Sequence, residues 1–193
     1  MPNWTENELT ITGPDVRKVL NSIRSLNPLD EGNQVFDFDR IIPYPAIYRD
    51  LDLRNIEYQG KLHAIDPDAS DGQANLEALA KDYGVEPGTP WLRDGYNSGG
   101  DEWTCNHWGS KWNAARPVLT THGEDGLLWA FIEFDTAWSP PIPVIEKLAS
   151  MFPDHDFLLA FFEGGVGYCG QAYWEKGVGM YHKQRDYDGP RGG

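Results

Sequence analysis

Twice in this chain an alternating run is cut by proline and followed by helical spacing, and that repeated order restricts the fold more than any other feature. Near the start, residues 8–12 alternate with β-branched character and stop at Gly13-Pro14, after which Asp15 stands where a helix N-cap belongs. Val16, Val19, Leu20, Ile23 and Leu26 then recur at helical spacing, so an amphipathic helix is predicted, ended by Asn27-Pro28. Near the other end, residues 127–135 alternate as in a central strand and Ser139-Pro140-Pro141 opens a second helix. Proline is tolerated there because the first-turn N–H it lacks would have no partner anyway. Ile142, Ile145, Leu148, Ala149 and Phe152 keep the helical spacing until Pro153 closes it.

Three further strands are predicted. Residues 34–42 alternate as Val35, Phe36, Asp37, Phe38 and Asp39 up to Pro43; residues 156–163 are strongly apolar; and residues 166–175 return after a Gly164-Gly165 turn. The charged, glycine-containing tail beyond Lys176 is expected to be frayed. Between Tyr44 and Gly126 the pattern weakens, with residues 73–83 the clearest helix. Structureless loops beyond about 15 residues are uncommon inside compact domains, so this stretch is expected to hold helices of its own. The order β-α-β, insertion, β-α-β-β predicts an α+β chain of ferredoxin-like split βαβ type, with two helices on one face of an antiparallel sheet and an extra C-terminal hairpin strand. The expected organisation is a single domain over 1–182, an insertion at 44–126 between the halves, and a flexible tail at 183–193. "Ferredoxin-like" here denotes topology alone, since Cys105 and Cys169 lack the spacing of an iron–sulfur or zinc site.

The formal charge of −14 disfavours nucleic acid as a partner, because such affinity rests mainly on Lys and Arg displacing counterions. The basic residues are scattered, with Lys183 and Arg185 close together near the tail. The N-terminal residues lack a charged and apolar leader pattern, and no stretch approaches the roughly 20 apolar residues of a membrane span, so a cytoplasmic location without membrane association is expected.

Several blocks resemble the YubB ferredoxin-like family of small phage- and plasmid-encoded proteins. They are MPNW at residues 1–4, NELTITGP at 7–14, FDFDRIIPYP at 36–45, NHWGSKWNA at 106–114, FDTAWSPPIPVIEKLASMFPD at 134–154 and FFEGGVGYCG at 161–170. The WGSKW and TAWSPP blocks are the specific ones. The resemblance implies the same fold and a mobile-element origin, in a host cytoplasm, and brings no established activity with it.

Asn106, His107, Trp108, Lys111 and Trp112, with Trp138, form the candidate ligand- or partner-binding site, because two indoles, a cation and amides within a short span offer stacking, charge and directional hydrogen bonds together. Equally, Trp108 and Trp112 at i,i+4 spacing can be core anchors with Lys111 reaching outward. His107 lacks a named partner for general-base work. Asp66, Asp68, Ser70 and Glu77 match part of a calcium-loop frame, but Asp71 occupies the position where such a loop needs glycine, so a loop preceding the helix at 73–83 is the simpler expectation. No catalytic residue, metal ligand or cofactor is assigned. The expected function is that of a non-catalytic binding or interaction protein, its partner a host protein engaged through an acidic surface or aromatic groove. The alternative is a protein that binds a small nucleotide-type ligand, as sponge or enzyme, through the Trp/Lys cluster.

Overall fold

The computed structural model describes residues 3–25, 35–122, 128–187 and 189. Six antiparallel strands, β1 (Trp4–Thr12), β2 (Ala115–His122), β3 (Trp129–Ala137), β4 (Asp156–Glu163), β5 (Tyr168–Glu175) and β6 (Val178–Asp186), form one sheet in the order β2-β3-β1-β4-β5-β6. The first four give the ferredoxin-like arrangement, and the α+β fold follows as expected. Helix α1 (Arg17–Ile23) follows β1, and α5 (Ile142–Met151) joins β3 to β4. Burial alternates strictly along β1, so Asn7, Leu9 and Ile11 face inward and Glu6 and Glu8 outward. The inward row continues with Ile132, Phe134, Phe157, Leu159 and Phe161, and the helices contribute Val19, Ile23, Val144, Ile145 and Leu148 to the buried core.

The second strand is not where the alternation of residues 34–42 put it. Among residues 35–42 the structure has a short 3-10 turn at Phe38–Arg40, and Gln34 lies outside the described residues. The alternation arises because Phe36 and Phe38 are both fully buried and meet Phe134 edge-on, at 4.9 and 6.1 Å, while Asp37 caps the turn by accepting from the Asp39 amide at 3.0 Å. Asn113 completes the substitute for a ladder, accepting from the Phe38 amide and donating to Asp37, at 2.8 and 2.7 Å. The place beside β3 belongs instead to β2, within the 44–126 stretch expected to be an insertion. Its start carries Pro117 inside a register shift between Ala115 and Val118, a position open to proline because β2 is an edge strand.

The tail is a second correction. Residues 178–186 form β6, paired along β5, so residues 183–186, expected in the flexible tail, belong to the sheet. Lys176 and Gly177 make the two-residue turn with φ of 52° and 76°, the mirror-image geometry that matches strand twist. All nine residues of β6 are exposed, so no apolar alternation marks it in the sequence. The expected helix ending at Asn27-Pro28, the 127–128 strand start at Leu127 and the last residues of the tail fall wholly or partly outside the described residues.

By contacts along the chain, residues up to Pro43 and from Glu102 onward form one compact unit, and Tyr44–Asp101 another. The latter holds α2 (Ala46–His63) and α3 (Gly72–Tyr83), the second matching the expected helix at 73–83. Its small core is Tyr58, Leu79 and Leu92, and the Tyr58 hydroxyl donates to the Thr89 carbonyl at 2.6 Å. Asp52 accepts from the amides of Gly95 and Tyr96, fixing the loop after this core. In the loop before α3, Asp66 accepts the Asp68 amide at 3.0 Å, and Gly72 sits where a Cβ would meet the Asp66 carbonyl at 2.2 Å.

Candidate functional site

Helix α4 (Gly100–His107) delivers the tryptophan-rich block, and the structure divides its residues between core and surface. Trp108 is 6% exposed; its indole N–H donates to the Ile42 carbonyl at 2.8 Å, and its ring meets Phe38 and Trp103 edge-on. It is the core anchor that the i,i+4 spacing allowed. The chain then turns at Gly109, whose φ is 72° and whose Cβ would lie 2.7 Å from Pro143 Cδ. Ser139 donates to the Gly109 carbonyl, Ser110 to that of Ala137, and Thr104 to that of Lys111. The WGSKW and WSPP blocks are thus two halves of one joint, which accounts for much of their pattern without any ligand.

Asn106 and His107 lie on the surface, the His107 ring stacked on Trp103 at 4.4 Å with Nδ1 2.8 Å from the Trp103 carbonyl oxygen. Trp112 is 38% exposed and Trp138 49%. Lys111 Nζ sits 5.7 Å from the Trp112 ring, Trp112 is 5.9 Å from Trp4, and Arg116 lies over Trp4 at 5.5 Å. Cation, indole, indole and cation therefore form a surface run rather than a groove. Trp138 holds a left-handed backbone, φ 76°, tied by its amide to the Asn3 carbonyl and by its carbonyl to the Tyr168 hydroxyl, each at 2.9 Å. Such a conformation is an outlier for a bulky residue. None of the cavities described below takes a lining residue from these six positions.

The run ends at Arg116, which pairs with Asp135 at 2.7 Å and leads onto the exposed face of the sheet. There Glu6 stands directly opposite Asp135, and Glu8 opposite Glu133, on the neighbouring strands β1 and β3. Like charges directly opposite destabilise a sheet. Glu6, Glu8 and Glu133 are exposed, and among the described residues none of the three has an ion-pair partner. A cavity of about 190 Å³ opens among Glu6, Glu8, Arg116, Glu133 and Asp135. Val118 pairs with Glu133 from the β2 side, and Trp129 and Phe131 stack at 6.1 Å on the same face of β3. Across β4 and β5 the corresponding positions are Phe162 and Cys169, and Ala160 and Gln171; at β6 they are Arg185 and Lys183. One face thus grades from acidic through neutral to basic.

Behind it lies a buried polar group of side chains. Asn7 donates to Thr136 Oγ1 and to the Thr5 carbonyl, both at 2.8 Å, and Thr136 donates to the Ser139 carbonyl at 2.8 Å. Thr5 Oγ1 is 3.0 Å from the Tyr168 hydroxyl. Burial raises the pKa of that hydroxyl above its ordinary value, with the Thr5 hydrogen bond acting in the other direction. Glu163, 1% exposed, accepts the amides of Gly165 and Val166 and so caps the β4–β5 turn. These groups hold strand ends in place. Among the described residues no group of three or more His, Cys, Asp or Glu side chains is gathered to hold a metal ion, and no helix is long and apolar enough to cross a membrane.

The acidic row escaped sequence analysis because its two halves lie more than 120 positions apart. The outward positions of TENEL and FIEFD were legible; the antiparallel register that sets them face to face was not.

A family comparison agrees with the ferredoxin-like topology. Residues 118–189 match a family model described as the ferredoxin-like domain in Api92-like protein. The crystal structure of the protein api92 from Yersinia pseudotuberculosis is similar over 98% of this chain and 99% of that one, at 13% identity and a TM-score of 0.49. No curated protein matches the chain.

Proposed function

We propose that this chain is a non-catalytic interaction protein that holds a basic segment of a partner protein against the acidic row on β1 and β3. The observations that carry the proposal are the like charges set face to face on the exposed side of two central strands, Glu8 opposite Glu133 with no ion pair among the described residues, and Glu6 opposite an Asp135 that Arg116 engages. A sheet selected only for stability would not keep them, and departures from local consistency concentrate where a protein works. The cavity of about 190 Å³ is smaller than the roughly 300–1,000 Å³ typical of small-molecule sites, and suits a single guanidinium or ammonium head. Trp4 and Phe131 stand one outward position beyond the row on β1 and β3, and Arg116 over the Trp4 ring shows a cation held beside it. A phage or plasmid origin, which the sequence resemblance implies, would make that partner a protein of the host. The nucleotide-type alternative is weaker because Trp108, one of its two stacking indoles, is in the core.

The test is a titration of a labelled Arg-rich peptide with the full chain at low salt, followed by fluorescence anisotropy. Binding is expected to weaken about tenfold or more in the Glu8→Gln/Glu133→Gln double variant and to fall steeply with salt. Equal binding by that variant, or no binding to the parent chain, would refute the proposal.

A further inference from the structure

The opposite end of the same face carries a site of the other sign. We infer that the Tyr181–Asp186 stretch of β6 accepts an acidic β-strand from a partner protein, which extends the sheet by one strand. This surface is separate from the acidic row. At about 4.8 Å per strand, β6 stands three strands or roughly 14 Å from β1, beyond the ~8 Å screening length of physiological salt.

Among the described residues no strand pairs with the outer side of β6, and all nine of its residues are exposed on both faces. An edge of this kind is a template for another strand, and natural sheets usually blunt it with bulges and charge. Here the bulge is confined to one half, and the other half carries charge, Lys183, Arg185 and Asp186, of which the two cations admit an acidic strand and reject a basic one. The register with β5 shifts between Tyr173 and Trp174, which leaves Met180 as the extra residue and disrupts the edge near the turn. Beyond that bulge six residues run in unbroken register, from Tyr181 opposite Tyr173 to Asp186 opposite Tyr168.

That regular half is basic on one side only. By the two-residue alternation of a strand, Lys183 and Arg185 share the exposed face with Gln171 and Cys169 of β5, while Asp186 points to the other face. Arg185 has no ion-pair or side-chain hydrogen-bond partner among the described residues. Lys183 lies 5.2 Å from the Tyr181 ring. A cavity of about 790 Å³, lined by Cys169, Gln171, His182, Lys183, Gln184 and Arg185 with Gly170, opens at the same place. On a chain of net charge −14 this pair of cations has no ion-pair partner among the described residues, whereas Arg17 and Lys18 pair with Asp15, and it defines the occupant by complementarity. A paired strand with carboxylates at positions i and i+2 would set them opposite Lys183 and Arg185, while its main chain satisfies the open edge.

The experiment uses the full chain and a labelled twelve-residue peptide of alternating Thr and Glu, read by anisotropy, with hydrogen exchange of the β6 amides alongside. Binding with protection of residues 181–186 is expected. It should fall at least tenfold in Lys183→Glu/Arg185→Glu, remain in Glu8→Gln/Glu133→Gln, and be transferred in the former variant to a Thr-Lys peptide that protects residues 181–186, which it does not protect in the parent chain. That charge exchange shows the variant to be folded. The inference is overturned if the parent chain does not bind, if the Lys183/Arg185 variant binds as well, or if a peptide N-methylated at alternate residues binds equally, which would leave charge without strand pairing. It is also overturned if β6 is protected in the chain alone with concentration-dependent mass, which would make a second copy the occupant. Failure here leaves the acidic-row proposal standing, since the two use different peptides and different variants.

Discussion

Replacing Glu8 with Gln should make the protein more stable. In the antiparallel register Glu8 lies directly opposite Glu133, and opposed residues have Cβ atoms about 4.5–5.5 Å apart. Two unit charges about 5 Å apart in water repel by roughly 0.8 kcal/mol, within the roughly 0.2–1 kcal/mol measured for cross-strand pairs. Both side chains are exposed, so the aqueous dielectric applies, and Gln keeps the shape and the strand contacts of Glu. For a chain of this size about 1 kcal/mol moves Tm by roughly 2–4 °C, so the variant is expected to melt about 1–3 °C higher at low ionic strength. Thermal unfolding followed by circular dichroism checks this. In 1 M salt, where the screening length is about 3 Å, the gain should shrink towards zero. A lower Tm, or an increase of the same size at both salt concentrations, would refute the electrostatic reasoning. The same change should weaken the Arg-rich peptide, so stability and binding are expected to move in opposite directions.

The two tryptophans of the WGSKW block should separate cleanly: Trp108→Ala is expected to cost about 3–5 kcal/mol by chemical denaturation, and the half-exposed Trp112→Ala less than about 1 kcal/mol. Comparable losses would contradict their assignment to core and surface. Glu163→Ala removes the acceptor of two turn amides and should cost about 1.5–3 kcal/mol, with exchange at Gly165 and Val166 accelerated. Because the Tyr168 pKa is raised in the folded state, the stability linked to its proton is present below about pH 10, the unfolded value, and is lost as pH rises through the folded value. Tyr168→Phe should therefore lose about 0.5–1.5 kcal/mol at neutral pH with its hydrogen bonds, yet show a shallower decline of Tm above pH 10.

Where the chain's patterning is one-sided, its elements were legible. β1, β4 and α5 each bury one face against the same core, so their period is written in apolar residues, and proline marks the ends. Phe36 and Phe38 mislead because side-chain capping by Asp37 and Asn113 imitates the alternation of a strand. β6 leaves no apolar trace because neither of its faces is covered, and β2 is disguised by Pro117 in its bulge. Helix α2 is obscured similarly: Ile47, Leu53 and Ile56 are exposed while Tyr58 is buried, so the apolar residues do not form one stripe. Of the candidate site, the sequence showed which residue types stood close together along the chain. It offered Trp108 and Trp112 alike as core anchors without showing that only Trp108 would turn inward, and it did not show that carboxylates from β1 and β3 would meet.

The buried side chain of Asn7 has a consequence for how uniquely the sheet can assemble. Its amide reaches Thr136 on β3 and the Thr5 carbonyl, a pattern that exists only when β1 is seated with Asn7 opposite Phe134 on one side and Phe161 on the other. A slip of β1 by one position would turn Leu9 and Ile11 to solvent and drive Glu6 and Glu8 into the apolar interior. The acidic row that weakens the correct sheet by a fraction of a kilocalorie per pair would then face a desolvation cost several times larger. The exposed carboxylates and the buried amide thus act as a key cut on both edges, admitting one alignment of the central strand and rejecting its neighbours.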